Sequence, residues 1–90
     1  MSDPLSALRP LFRAKAAADL DRLTLLWAEH PASPEVASVI HDIAGAAGVF
    51  GFTGLSAVAL EINDRLVAGD RPDAVQMEQL LRHLEEAVKD

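Results

Sequence analysis

The chain has 90 residues, 50% of them apolar and 24% charged, which suits a single domain over residues 1–90 with a core of its own and excludes low-hydrophobicity disorder. A formal charge of −6, with Arg and Lys scattered rather than clustered, argues against binding to nucleic acid or an anionic membrane surface. There is no Cys for a disulfide framework or a Cys-based zinc site, and neither a signal-peptide pattern nor a membrane-spanning apolar run is visible, so the cytoplasm is the expected compartment.

Apolar residues recur at helical spacing and nowhere alternate with period two, so the chain predicts helices and no strands. The first helix carries Leu8, Phe12, Ala16, Leu20, Leu23 and Trp27 on one stripe, with Asp3 as a cap before Pro4. Pro10 leaves two starts open: it sits in the first turn of a helix beginning near residue 9, or it kinks one beginning near residue 4.

His30-Pro31-Ala32-Ser33-Pro34 then breaks the chain, and Ser33 with Pro34 supplies the cap and first position of a second helix. Its buried stripe is Val36, Ile40, Ile43, Ala47 and Phe50, and Gly51 stops it. Thr53 caps a third helix with Leu55, Val58, Ala59, Ile62 and Leu66 inward, ending at Gly69-Asp70. Pro72 opens a fourth with Met77, Leu80, Leu81, Leu84 and Val88 inward and Lys89 near its C-terminal dipole. Short connections make successive helices antiparallel neighbours, so the expected fold is all-α, an antiparallel up-down-up-down four-helix bundle.

On the second helix, Ala37, Ser38, His41, Ala44, Gly45 and Gly48 lie three and four residues apart and surround one imidazole with very small side chains. A helix-interior Gly costs about 0.5–1 kcal/mol relative to Ala, and here the cost recurs within one turn. Two causes fit: a neighbouring helix packs against the glycines, or a partner protein brings its reactive group down onto His41. An exposed neutral imidazole, with a reference pKa of about 6.5, is largely unprotonated at cytoplasmic pH and can attack phosphorus directly.

The run His41-Asp42-Ile43-Ala44-Gly45-Ala46-Ala47-Gly48-Val49-Phe50-Gly51, followed by Leu55, Ala59 and Ile62, resembles the signature of the histidine phosphotransfer family. In that signature a Gly lies ten residues after the His and a Leu fourteen after, the places of Gly51 and Leu55. The resemblance implies a four-helix bundle whose exposed His, here His41, shuttles a phosphoryl group between aspartates of receiver domains in response regulators or hybrid histidine kinases. It also implies no cofactor in this chain, with Mg²⁺ and a cationic side chain supplied by the receiver. Ala44 stands where many members carry Lys, and Asn63 where many carry an acidic residue.

About a turn near residue 52, a position level with His41 is roughly residue 63, which makes Asn63 and Arg65 candidate phosphoryl contacts. Ser38, Ala44, Gly45 and Gly48 are candidate docking contacts, as is Phe52 if the helix phase continues to it, with core packing at the turn as its alternative. His30 and His83 share no ligand spacing with His41 and read as surface residues, and acidic residues such as Asp19 and Glu35 read as solvated faces. No phosphate-loop motif is present, so a protein must donate the phosphoryl group. The competing functions are a non-catalytic helical module that binds receivers without carrying phosphate, and a kinase-type dimerisation and phosphoacceptor domain; four self-sufficient amphipathic helices favour a monomer over the latter.

Overall fold

The structure, a computed structural model, describes residues 6–89. A short 3₁₀ turn over Ser6–Leu8 leads into α1 (Arg9–Glu29), followed by α2 (Pro34–Val49), α3 (Thr53–Val67) and α4 (Ala74–Lys89), with no strand among the described residues. Arg9 opens α1, so Pro10 lies in its first turn, where a missing N–H leaves no hydrogen bond unmade. Asp3, the expected cap, lies outside the described residues.

Each helix packs against two neighbours: α1 and α3 each touch both α2 and α4, and the helices close into a ring. Connections of three to six residues force the chain to reverse at each end, and the 44 × 23 × 19 Å extents fit helices laid along one axis. Across the α2–α3 turn, the Ser56 hydroxyl donates to the Ala44 carbonyl at 3.1 Å, a contact that sets the antiparallel register of this pair.

The interior is filled from all four helices, by Leu23, Ile40, Ile43, Ile62, Met77, Leu80 and Leu84, all fully buried. Each such side chain contributes about 1.5–3 kcal/mol of hydrophobic stabilisation. No polar or charged residue is buried among those described, so the bundle rests on apolar packing. Most of the stripes expected from sequence face inward, with Leu20, Trp27, Phe50, Val58, Leu66, Leu81 and Val88 half-buried at their margins. Leu8 departs from this: it belongs to the 3₁₀ turn, out of phase with α1, and stays 42% exposed.

Two helix starts also differ from expectation. Thr53 is the first residue of α3 rather than its cap; Phe52 holds the cap position and makes no side-chain cap bond. α4 begins at Ala74, two residues after Pro72, because the Asp73 carboxylate accepts the Val75 N–H at 2.8 Å and so performs the capping. No helix among the described residues is long and apolar enough to cross a membrane.

Candidate functional site

The Ser33 hydroxyl oxygen accepts the Glu35 N–H at 3.2 Å, Pro34 takes the first position, and α2 runs from there to Val49. It ends where Gly51 adopts φ 83°, a left-handed conformation that glycine enters without a Cβ penalty. One face of α2 buries Val36, Ile40, Ile43 and Ala47. Its flanks are fixed by two contacts: Glu35 pairs with Arg22 of α1 at 2.6 Å, and the Ala44 carbonyl accepts from Ser56 of α3. The Glu35 hydrogen bond, followed by its charge, raises the Arg22 pKa above its ordinary value.

His41 stands exposed on the α3 flank of α2 and has no hydrogen-bond or ion-pair partner among the described residues. At 3.6 residues per turn, Gly48, Gly45 and Ser38 lie about 20°, 40° and 60° around the helix from it. All three are exposed, and together with His41 they form one open strip.

The glycines of this strip do different things. A Cβ on Gly45 would meet nothing within 4 Å, so no helix of the bundle explains this glycine. A Cβ on Gly48 would lie 3.4 Å from the Ser56 Oγ, so this one borders an internal contact. Ala44 departs from the expected strip: it is only 6% exposed, and its methyl belongs to the core rather than to a docking face.

The facing wall comes from α3. Asn63, Leu60 and Val67 fall within about 40° of Ser56 around that helix, so they share the side turned toward α2. Leu60 and Val67 are 49% and 80% exposed, whereas Asn63 is half-buried. Ser56 lies level with residues 44–48; seven residues further along α3, the antiparallel register puts Asn63 across from residues 37–41. Arg65 is about 180° from Ser56 on the same helix. It shares its side with Gly54, against which His83 of α4 packs at 3.0 Å from the Cβ position, so the structure turns Arg65 toward α4 and away from His41.

Two further expectations change. Phe52 does not extend the α2 strip, because the helix breaks at Gly51; its ring stacks on Phe12 of α1 at 4.9 Å, with the Arg9 guanidinium 5.9 Å above it. His83 is half-buried against Gly54 rather than free on the surface, while His30 is exposed at the end of α1. Among the described residues no three His, Asp or Glu side chains gather to hold a metal ion.

The trough between α2 and α3 is therefore open around one imidazole. A cavity of about 650 Å³ exists elsewhere, walled by Trp27, Val36, Leu66 and Pro72 where α2 begins, and His41 does not line it. α2 contains no Lys or Arg, and the single Arg of α3 faces away, so neither wall of the trough presents a basic side chain. Asp42 and Asp64 are both exposed on these two helices.

A family model described as the Hpt domain matches residues 7–90. The chain belongs to the Hpt domain family. Membership gives it a phosphotransfer-related role in two-component signalling and implies interaction with receiver domains. No curated protein and no solved structure matches the chain significantly.

Within this Hpt domain, sequence reasoning passed over Ser56. Nothing in a Thr-Gly-Leu-Ser-Ala run marks one hydroxyl as reaching the neighbouring helix; the only available signal was a small polar residue facing Gly48 across a short turn.

Proposed function

We propose that this Hpt domain carries a phosphoryl group on His41, taking it from the phosphorylated aspartate of one receiver domain and delivering it to the aspartate of another. The observation that carries the reading is the exposed His41 beside Gly45, a helical glycine over which no part of the bundle closes.

In the step, an unprotonated ring nitrogen of His41 attacks the phosphorus of the receiver's acyl phosphate. The N–P bond forms as the bond between phosphorus and the aspartyl oxygen breaks, and the electron pair leaves with the carboxylate. The reverse sequence returns the group to a second aspartate. Such transfers depend on in-line positioning and charge neutralisation.

The trough offers no cation, so charge neutralisation falls to the receiver, with its Mg²⁺ and a cationic side chain. Asn63, across from residues 37–41, is the polar side chain placed to donate to the phosphoryl oxygens. Ser38, Gly45 and Gly48 form the docking surface on the α2 side, and the exposed Leu60 and Val67 extend it on the α3 side. The closed ring of four helices supports action as a monomer, since no second chain is needed to complete the bundle. Such a relay operates in the cytoplasm with its receivers.

The test is transfer of radiolabelled phosphoryl from a panel of phosphorylated receiver domains to this protein and to its His41→Gln variant. Acid-labile labelling that the variant loses is the expected result. A receiver that binds both proteins and labels neither would leave a non-catalytic binding module.

A further inference from the structure

Resting on that reading, we infer that Ser56 is a positioning residue for His41: its hydroxyl sets the seating of the nucleophile-bearing helix without touching the partner. The Ser56 Oγ donates across the helix interface to the Ala44 carbonyl at 3.1 Å, and the acceptor lies three residues, less than one turn, from His41. That carbonyl also receives the helical N–H of Gly48, so the bond fastens α3 to a peptide unit within the α2 ladder rather than to a mobile side chain.

Gly48 borders this contact. A methyl at that position would stand 3.4 Å from the Ser56 oxygen, in ordinary van der Waals contact, which places the hydroxyl directly against this stretch of α2. Ser56 itself is half-buried, beneath a trough whose rims carry exposed Leu60 and Val67. α2 and α3 otherwise contribute small or aliphatic side chains such as Ala44, Ala47, Leu55 and Ala59 to the core, whose packing is not directional in the way a hydrogen bond is. A directional hydrogen bond at this level fixes the rotation of α2, and the rotation of α2 aims the His41 imidazole.

In-line phosphoryl transfer is sensitive to that aim, since a misplacement of about 1 Å can cost about 100-fold in rate. Loss of the Ser56 hydroxyl gives a smaller tilt, and the expected effect is a drop of roughly 3- to 10-fold in the maximal single-turnover rate of labelling. The half-saturating receiver concentration stays unchanged, because the docking surface is intact.

The experiment measures both quantities for wild type, Ser56→Ala and Ser56→Thr against phosphorylated receiver domains, with circular dichroism checking that each variant is folded. Ala is the better helix former, so Ser56→Ala is expected to fold. The inference expects a reduced maximal rate in Ser56→Ala, an unchanged half-saturating concentration, and recovery in Ser56→Thr. A labelled wild type with an equally fast Ser56→Ala overturns the positioning role alone. So does a defect confined to half-saturation, which would make Ser56 a docking contact, or a defect that Ser56→Thr fails to restore, which would assign the effect to packing. A wild type that no receiver labels overturns the transfer reading, and this inference with it.

Discussion

Phe12 and Phe52 stack with ring centroids 4.9 Å apart and planes 24° from parallel, and Phe12 also stacks on Phe50 at 5.1 Å. One buried ring of α1 thus holds both aromatic residues of the α2–α3 turn, so the end of the bundle toward which the His41 strip runs is closed by three rings. Truncating a buried Phe costs about 3–5 kcal/mol. Against a total stability of about 5–15 kcal/mol, Phe12→Ala consumes a large share. Urea unfolding followed by circular dichroism is expected to show a much lower midpoint; an unchanged midpoint would mean that the rings add little to the closure.

The α4 cap makes a smaller, separable prediction. Asp73 holds the Val75 N–H at 2.8 Å, and replacing an N-capping Asp by Ala costs about 1 kcal/mol. For a domain of this size that corresponds to a fall of roughly 4–8 °C in melting temperature. Phosphoryl transfer is expected to be unaffected below the melt, because α4 lies diagonally across the bundle from α2 and the His41 strip. A transfer defect in folded Asp73→Ala would show that α4 communicates with His41.

Much of this architecture was legible from the sequence, because periodic apolar stripes report burial directly. Ile40, Ile43, Ile62, Leu80 and Leu84 face inward for the same reason that their spacing predicts. The short breaks at Ser33-Pro34 and Gly51 were equally plain, since capping and left-handed φ are local demands. What spacing does not encode is the rotation of one helix against another. Ala44 read as part of the His41 strip but lies at its inner margin, and Arg65 read as level with His41 but sits on the opposite side of α3. Height along a hairpin follows from counting residues; azimuth needs a contact such as Ser56 to Ala44.

That azimuth separates Asn63 from Arg65 in function. Asn63→Ala is expected to shorten the lifetime of the phosphohistidine or slow its formation by about 2- to 10-fold, the range set by one hydrogen bond of about 0.5–1.5 kcal/mol. Arg65→Ala is expected to leave both unchanged, since its side of α3 faces α4. Decay of purified, labelled protein under identical buffer conditions gives the lifetimes. The reverse pattern would mean that α3 is rotated relative to α2 in the phosphorylated protein.

Gly45 allows stability and function to be set against each other at one atom. A methyl there meets nothing within 4 Å, and Gly45 lies inside α2, so Gly45→Ala removes unfolded-state freedom without a clash. Its expected effect on the isolated domain is a gain of about 0.5–1 kcal/mol, seen as a higher urea midpoint. If the glycine is present because a receiver's surface comes down beside His41, the same methyl intrudes on the docked complex, and the half-saturating receiver concentration rises while the maximal transfer rate changes little. Gly48→Ala differs in its neighbour, because its methyl would lie 3.4 Å from the Ser56 Oγ, an ordinary contact that leaves the bond to Ala44 in place; there too the maximal rate is expected to hold. A Gly45→Ala protein that is more stable and transfers as well as wild type would leave the bare glycine without a docking role and move the receiver's footprint elsewhere on the strip.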